Sequence, residues 1–256
     1  MCIRLGVYSP KEGVSIEEAF KIHTQVHSPL IMEVVREVAI PGLNKYIVGR
    51  VVKEAAGKPP FTNYVHMTWD DEAAMNRYLE ALEVRMPFPG DYFMNNVNWD
   101  STSFVEEKVI FESKSAGKPV CIRFGFYTPK EGISVEEMFN YHTQVHAVEI
   151  MKVVSQVATP GLIKYAVGRV TNEAVGKPLY TNYVKMWWEN EGAMNRYLEV
   201  LRIAKLPGAE SSEEGLRARK DWGFTTFEEA TEGGFFARAD WGFTVFVEDK
   251  VIFEKK

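Results

Sequence analysis

The chain has 256 residues, a formal net charge of −5 and a pI near 5.7. Hydrophobic residues make up 46% and charged residues 25%, which are ordinary values for a globular protein and argue against a disordered chain. The sequence has no long basic run, and no apolar run approaches the roughly 18 residues of a membrane span, so neither a nucleic-acid partner nor a membrane segment is predicted.

The first half of the chain predicts alternating strands and helices. CIRLGVY alternates and is rich in β-formers, which indicates a strand. Ser15, followed by two glutamates, predicts a helix start, and apolar residues recur at helical spacing over 16–38. We expect Pro29 to kink or split that helix. LNKYIVGRVV and FTNYVHMTW then predict strands, DDEAAMNRYLEAL a helix and STSFVEEKVIFE a fourth strand, which is the β-α-β-β-α-β order of a ferredoxin-like domain.

The same series of segments occurs twice. FKIHTQVH returns as FNYHTQVH and PGLNKYIVGRV as PGLIKYAVGRV, at an offset of 119 residues, as from Cys2 to Cys121. At the end of the repeat the offset is 142, as from Trp99 to Trp241, so the second copy carries 142 − 119 = 23 extra residues. The sequence therefore predicts a fused dimer of one small domain.

The repeat sets the expected domain boundaries. We expect ferredoxin-like domains at 1–114 and 119–256, joined by the polar segment ESKSAGKP, with an inserted segment at about 206–240 of the second domain. DWGFTTFEEA, from Asp221, resembles DWGFTVFVED, from Asp240. The insertion is either a duplicated strand at a sheet edge, a lid, or a surface insertion without a role.

The fold class follows from the uncovered face of such a sheet. A ferredoxin-like unit has helices on one face only, and the other face would expose apolar surface unless a second sheet covered it. We therefore predict an α+β fold in which two ferredoxin-like repeats form an intramolecular α/β barrel, with a lumen between two four-stranded sheets.

Strand periodicity gives an expected lining for that lumen. We expect Ile3, Leu5 and Val7 to face the helices, and the residues between them to face the lumen. The full expected lining is Arg4, Gly6, Tyr8, Tyr46, Val48, Arg50, Tyr64, His66, Thr68, Arg123, Tyr127, Tyr165, Arg169, Tyr183, Lys185 and Trp187. Such a mixture of phenols, cations and rings suits an aromatic or enolisable anion, although a one-residue error in register would reverse every assignment.

His66 is the most informative lumen position, because its counterpart in the second repeat is Lys185. Divergence at that point suggests a divided site in which one half supplies an acid–base group; the alternative is drift at an exposed strand position. Tyr46 and Tyr165 either orient a substrate oxygen or donate a proton, or they serve only as amphipathic lining.

Two histidine pairs, His23 with His27 and His142 with His146, are spaced four residues apart, so each pair shares one helix face against the sheet. Three interpretations stay open: a buried, hydrogen-bonded histidine that orders the helix, general acid–base chemistry, or metal binding. No metal ligand set is complete in the sequence. Gly-rich phosphate motifs, a GxSxG elbow and CxxC are also missing, which disfavours ATP, dinucleotides and serine-hydrolase chemistry.

The helix motif HTQVHSPLI, after a first strand and a KEG turn, resembles the EthD-like family of the dimeric α/β-barrel superfamily. His27-Ser28-Pro29-Leu30 is the most specific local match, and the second copy departs from it because it lacks the proline. The resemblance implies small-molecule chemistry without nucleotide cofactors, as in polyketide cyclases, dehydratases, decarboxylases, isomerases, cofactor-free monooxygenases and haem-dependent enzymes. It also implies a histidine that acts with a tyrosine, for which His66 with Tyr46 or Tyr64 are the nearest candidates.

These observations favour a cofactor-independent enzyme that performs acid–base chemistry on a hydrophobic aromatic or polyketide-like carbonyl compound. The alternatives are an oxygen- or haem-dependent oxidoreductase and a non-catalytic metabolite-binding protein. We expect a small hydrophobic substrate as partner, a cytoplasmic location since no signal peptide is recognisable, and a homodimer of the fused unit as one assembly. The candidate catalytic residues are His66, Tyr46, His27 and His23, and the candidate substrate-binding residues are Arg4, Tyr8, Arg50, Tyr64, Arg123, Tyr127, Tyr165, Tyr183, Lys185, Trp187, His142 and His146.

Overall fold

The structure is a computed structural model of the 256-residue chain. It describes residues 1–38, 42–114, 117–157, 161–204, 211–222 and 234–255. Within these ranges, no helix combines the length and the apolar character that crossing a membrane requires.

The first repeat contains four strands, and its first helix is interrupted by a π-helical turn. Its elements are β1 (Cys2–Pro10), α1 (Ile16–Ile22), π1 (His23–His27), α2 (Ser28–Val38), β2 (Leu43–Ala56), β3 (Asn63–Trp69), α3 (Glu72–Arg85), α4 (Phe93–Asn96) and β4 (Val97–Glu112). Ser15 caps α1 by accepting a 3.1 Å hydrogen bond from the Glu18 N–H, as its position in the sequence predicts. The predicted order of strands and helices is confirmed.

Among its described residues, the second repeat contains the same series with one more helix. Its elements are β5 (Cys121–Pro129), α5 (Val135–Tyr141), π2 (His142–His146), α6 (Ala147–Val157), β6 (Leu162–Val175), β7 (Asn182–Trp188), α7 (Glu191–Ala204), α8 (Glu213–Trp222), α9 (Phe235–Arg238) and β8 (Ala239–Glu254). Helix α8 lies in the inserted segment, and Asp221 and Trp222 end it rather than beginning a strand. The rest of DWGFTTFEEA, residues 223–230, lies outside the described residues.

The chain divides into two compact units, and each unit combines segments of both repeats. Unit 1 consists of Met1–Glu106, Val170–Leu179 and Val247–Lys256, and unit 2 consists of Glu107–Arg169 and Tyr180–Phe246. These units differ from the predicted contiguous domains because β4 and β8 are each 16 residues long. A strand of that length extends about 53 Å at about 3.3 Å per residue, so its two halves can pair within different sheets.

The strand order follows from antiparallel pairing within each unit. In unit 1, β3 lies between β1 and β2, and β1 also pairs with β4. In unit 2, β7 lies between β5 and β6. The complete order, β1-β3-β2-β8-β5-β7-β6-β4, closes on itself, which confirms the predicted α+β fold of two ferredoxin-like repeats whose strands form one barrel.

The helices of each unit cover one face of its own sheet. In unit 1 the helix residues Phe20, Ile31 and Val35 pack against strand residues such as Val48 and Trp69. In unit 2 the equivalent core includes Phe139, Ile150 and Val154 from the helices and Val167 and Trp188 from the strands. Both cores arise from the apolar stripe that the sequence shows at helical spacing.

The π-helical turn corrects the expectation for Pro29. In each repeat the turn is HTQVH, and the backbone N–H after it bonds back five residues, from Ser28 to the His23 carbonyl and from Ala147 to the His142 carbonyl. Val148 occupies the position of Pro29 in the second repeat, yet the helix is interrupted at the same place. The proline is therefore not the cause of the interruption, and the two helices do not differ in shape as the proline suggested.

Candidate active site

Three residues of β1, Arg4, Gly6 and Tyr8, lie on the helix-covered face of the sheet, whereas the sequence predicted that they face the lumen. Tyr8 packs against α1, and Arg4 lies opposite Met67, whose side chain belongs to the core between the helices and the sheet. Gly6 lies between these residues on the same face. The alternation of side chains along β1 was therefore predicted correctly, but the two faces were assigned the wrong way round. Ile3, Leu5 and Val7 are the residues that face away from the helices.

The same correction applies to β2 and to the second repeat. Tyr46 and Val48 lie in the core beneath the helices, and the Arg50 guanidinium lies 5.1 Å from the centre of the Phe20 ring in α1. The corresponding residues of unit 2 that face helices rather than a lumen are Arg123, Tyr127, Tyr165 and Arg169. Alternation cannot say which face of a sheet is which, and the partners of these polar groups lie on the helices.

A buried chain of hydrogen bonds joins the first π-helical turn to the sheet in unit 1. Nδ1 of His23 lies 2.7 Å from the Tyr8 hydroxyl, and Nε2 lies 2.9 Å from the Tyr46 hydroxyl. The Tyr46 hydroxyl lies in turn 2.9 Å from Oγ of Ser28. A neutral imidazole has one donor and one acceptor nitrogen, so one tyrosine donates to His23 and the other accepts from it. We call this arrangement the tyrosine–histidine relay.

Unit 2 contains the same relay at equivalent positions. His142 contacts the Tyr127 hydroxyl through Nδ1, and its Nε2 lies 2.8 Å from the Tyr165 hydroxyl. Ala147 stands where unit 1 has Ser28, so the serine hydroxyl is not repeated. The expectation that the histidines lie buried against the sheet is confirmed, since His23 and His142 are each only 1% exposed.

Burial sets the protonation states within the relays. Desolvation lowers the pKa of His23 well below its usual value, and the nearby charges of His27 and Arg4 lower it further. Desolvation likewise lowers the pKa of His142. The same burial raises the pKa values of the Tyr8 and Tyr127 hydroxyls well above their usual range. At neutral pH the relays therefore consist of neutral imidazoles and protonated phenols.

Asp91 is a site residue that the sequence did not reveal. Its Oδ2 lies 2.7 Å from Nδ1 of His27, and its Oδ1 accepts a 2.9 Å hydrogen bond from the Phe93 N–H. Burial raises the pKa of the Asp91 carboxyl, but the hydrogen bonds from His27 and Phe93 outweigh that effect and the pKa is lowered. No spacing rule connects Asp91 to a histidine 64 residues earlier in the chain.

A tryptophan lies across β1 between the arginine and the tyrosine. The Trp99 ring stacks on Tyr8 with centroids 5.4 Å apart, and the Arg4 guanidinium lies 5.9 Å from the Trp99 ring. A Cβ added at Gly6 would lie 2.5 Å from that ring, so only glycine leaves room for it. The same arrangement of Arg123, Trp241 and Tyr127 occurs in unit 2, over Gly125.

On the other face of each sheet, a tyrosine binds a carboxylate from the other sequence repeat. In unit 1 the Tyr64 hydroxyl donates to Asp249, and in unit 2 the Tyr183 hydroxyl donates to Glu107 at 3.0 Å. Burial, followed by the charge of the adjacent carboxylate, raises the pKa of both tyrosines well above the usual range. These predicted substrate-binding residues are thus engaged in contacts between repeats within each unit.

The structure separates His66 from Tyr46, one of its two expected tyrosine partners, and from Arg4. His66 pairs across the strands with Leu5 and Ile47, on the face away from the helices, whereas Tyr46 and Arg4 both lie on the helix-covered face. A site that combines His66 with either residue is therefore excluded by the register. Tyr64 is on the same face as His66, as the sequence predicted.

Lys185, the counterpart of His66, is buried in unit 2. Its ammonium lies 5.1 Å from the ring centres of both Phe124 and Trp187. These residues lie on the face away from the helices, which agrees with the predicted orientation of Lys185 and Trp187. Within the described ranges, no group of three or more histidine, cysteine, aspartate or glutamate residues is arranged to hold a metal ion.

Comparison with known proteins extends only to the fold. No protein-family model and no curated protein matches the chain. A dye-decolorizing peroxidase from Bacteroides thetaiotaomicron aligns with a TM-score of 0.50 at 10% sequence identity, over 96% of this chain and 92% of that chain. An anthrone oxidase-like protein aligns with a TM-score of 0.48 at 12% identity, over 100% of this chain and 94% of the other. The chain thus shares its α+β barrel fold with the peroxidase.

Proposed function

We propose that this chain is an enzyme that performs acid–base chemistry on a small carbonyl compound at its tyrosine–histidine relays. The observation that carries the proposal is that His23 and His142 each bind two tyrosine hydroxyls through both ring nitrogens. A neutral imidazole retains a lone pair at neutral pH and can accept a proton, while a protonated phenol can donate one. Each relay therefore holds a base and an acid in direct contact.

The relay can act on a substrate without movement of the histidine. A tyrosine that passes its hydroxyl hydrogen to His23 can take the proton from a carbon next to the substrate carbonyl, so the substrate becomes an enolate. The second tyrosine accepts the remaining imidazole N–H and fixes the tautomer. Return of the proton at another carbon gives isomerisation, and departure of a β-hydroxyl group as water, with the proton held by His23, gives dehydration. In a decarboxylation the relay acts only as an acid: carbon dioxide leaves a β-oxo acid, and the enolate so formed takes its proton from the tyrosine.

Arg4 supports this chemistry in unit 1. Burial raises the pKa of Tyr46 and lowers that of His23, and the positive charge of Arg4 acts to lower the pKa of both groups, so its field extends over the relay. A fixed cation beside a developing enolate oxygen stabilises the charged transition state. We place the reaction among cofactor-independent cyclisations, isomerisations, dehydrations and decarboxylations, in line with the EthD-like motif HTQVHSPLI.

A second candidate function is an oxidative reaction that uses haem bound through His27. The observation that favours it is the hydrogen bond between Nδ1 of His27 and Asp91, since histidines that bind metals commonly donate their other ring N–H to a carboxylate. His23 does not fit this role, because both of its ring nitrogens bind tyrosines. Haem there would supply oxygen or peroxide chemistry. A Soret shift during haemin titration that His27→Ala abolishes would favour this candidate.

The test of the main proposal is hydrogen exchange next to a carbonyl. The chain is incubated in deuterated buffer with aromatic and polyketide-like ketones, and exchange is followed by NMR for the wild type, His23→Gln, His142→Gln and the double variant. Glutamine keeps hydrogen bonds to both tyrosines but is not a base. We expect hydrogen exchange to be about 10²–10⁴-fold slower in the double variant than in the wild type, which is the usual effect of losing a general base.

The matched control lies on the same π-helical turns. Gln25→Ala and Gln144→Ala change exposed side chains beside the histidines and should leave the rate unchanged. If His66→Gln abolished hydrogen exchange while the relay variants kept the wild-type rate, the reaction would take place on the other face of the sheet. Tight binding of the ketones without exchange or turnover would instead identify a non-catalytic binding protein.

A further inference from the structure

The guanidinium of Arg123 is buried in unit 2, and among the described residues no oxygen atom accepts a hydrogen bond from it. Arg123 is only 8% exposed, and its Nε is buried with no hydrogen-bond acceptor. Its Nη1 donates only to the sulfur of Met186, at 3.8 Å, and the guanidinium lies 5.5 Å from the Trp241 ring. Within the described part of the chain, Arg123 has no carboxylate within ion-pair distance.

Unit 1 repeats this arrangement at Arg4, which is partly buried. Its Nε is buried without an acceptor, its Nη1 donates to the Met67 sulfur at 3.9 Å, and its guanidinium lies beside Trp99. Several other arginines are paired with carboxylates, as Arg50 is with Glu248 at 2.7 Å. The guanidinium whose buried Nε has no acceptor thus recurs at equivalent positions of the two repeats.

An unpaired buried guanidinium is costly to maintain. Removing a charge from water without a compensating partner is strongly unfavourable, and thioether sulfur is a weak acceptor. Nearby aromatic rings offer only a partial replacement. A carboxylate is the natural complement, because it matches the planar fork of the guanidinium with two parallel hydrogen bonds.

The unpaired guanidinium lies close to the relay in each unit. Trp241 contacts Arg123 and also stacks on Tyr127, with ring centroids 5.6 Å apart. Met186, which accepts from Arg123, is the cross-strand neighbour of Tyr165. A ligand held by the guanidinium would therefore lie beside both tyrosines of the relay, with an aromatic ring to pack against. The Trp241 ring is itself held by a 3.0 Å hydrogen bond to Thr244.

We propose that Arg123 and Arg4 each bind the carboxylate of a small unsaturated organic acid, so that one chain takes up two such anions. The inference rests on the proposed function, because it assigns the substrate class of the same sites. A carboxylate fixed at the guanidinium orients the rest of the molecule along the tryptophan towards the relay. Oxo acids and aryl acids, which carry a carbonyl or ring next to the carboxylate, are the substrates of this shape.

The test measures binding directly and needs no turnover. Benzoate is titrated into the full chain by calorimetry, with benzamide as the neutral compound of the same shape, and tryptophan fluorescence is recorded in parallel. We expect two benzoate sites per chain, and binding of benzamide about 10- to 100-fold weaker, as for the loss of a charge-assisted hydrogen bond. Arg4→Gln and Arg123→Gln should each remove one site, and the double variant should remove both.

Controls separate the guanidinium from general charge effects. Arg85→Gln and Arg202→Gln remove exposed, carboxylate-paired arginines from units 1 and 2, and should leave both sites intact. If the glutamine variants fail to fold, Arg4→Lys and Arg123→Lys keep the charge and should bind benzoate more weakly than the wild type. Equal binding of benzoate and benzamide by the wild type would overturn the inference without any variant.

The outcomes also separate this inference from the proposed function. Benzoate binding that depends on Arg4 and Arg123, together with hydrogen exchange that ignores His23 and His142, would retain the carboxylate sites and reject the acid–base relay. Exchange that depends on the relay, together with no difference between benzoate and benzamide, would do the reverse.

Discussion

The two units share one hydrogen-bonded arrangement and differ in the hydroxyl beside it. Both hold a histidine between two tyrosines, with an arginine and a tryptophan on the same sheet face. In unit 1 the Tyr46 hydroxyl also contacts Oγ of Ser28, whereas Ala147 stands at that position of the second repeat. The shared part defines the common chemistry, and the difference offers a means to tell the two sites apart.

The opposite sheet faces differ more widely. Unit 1 presents Leu5 and Val7 there, whereas unit 2 presents Phe124 and Phe126, whose rings lie 4.3 Å apart by their centroids. Side chains on that face have changed in size and polarity between the repeats, while the relay has kept its histidine and both tyrosines. Burial of several polar groups in one network explains the contrast, because losing any member would leave the others without partners.

The largest effect should come from the glycines that make room for the Tyr64 and Tyr183 rings. A Cβ added at Gly49 or Gly168 would overlap the ring of Tyr64 or Tyr183. We expect Gly49→Ala and Gly168→Ala each to lower the free energy of unfolding by about 3 kcal/mol, the upper part of the usual overpacking range. Denaturant unfolding monitored by circular dichroism measures the change.

The two glycine variants test whether the units are equivalent in their packing. Equal losses would support equivalence, whereas a loss at only one position would show that one ring can move aside. Gly117→Ala serves as the control, since nothing lies within 4 Å of the added carbon and we expect almost no effect.

Sequence patterns specify the elements of this fold well and the faces of its strands poorly. The internal repeat, the helical stripe over 16–38 and the strand alternation led directly to the βαββαβ order. The two faces of β1 were assigned the wrong way round because Arg4 and Tyr8 are polar, and polar side chains were expected in a lumen. Their partners, the His23 ring and the Met67 sulfur, come from other segments, so tertiary contacts decide the orientation.

The two relays should contribute equally to loss of stability in acid. Burial lowers the pKa of His23 and of His142 below the unfolded value of about 6.5, so the unfolded chain takes up protons first as pH falls. Stability should be fully present above about pH 6.5 and decline below it, by up to about 1.4 kcal/mol per pH unit for each histidine.

Two single variants measure how much each histidine contributes to the pH dependence of stability. His23→Gln and His142→Gln should each reduce the slope of unfolding free energy against pH by the contribution of one proton, as urea titrations between about pH 7 and pH 5 would show. A slope that neither variant changes would mean that the histidines do not remain neutral in the folded state. A change in one alone would reveal that the relays differ in their surroundings.

The smallest expected effect is that of removing the Asp91 charge on the rate of hydrogen exchange, measured in unit 1 alone. The carboxyl is ionised at neutral pH because its pKa is lowered, and His27 lies between it and His23, with the two imidazole centroids 5.2 Å apart. A proton taken up by His23 during the reaction would create a positive charge that Asp91 stabilises. In a His142→Gln background, Asp91→Asn should therefore slow hydrogen exchange about tenfold, the effect of one unit in the pKa of the base. Asp70→Asn removes an exposed carboxylate paired with Lys255 and should leave the rate unchanged. An unaltered rate in Asp91→Asn would show that the charge beside His27 serves stability alone.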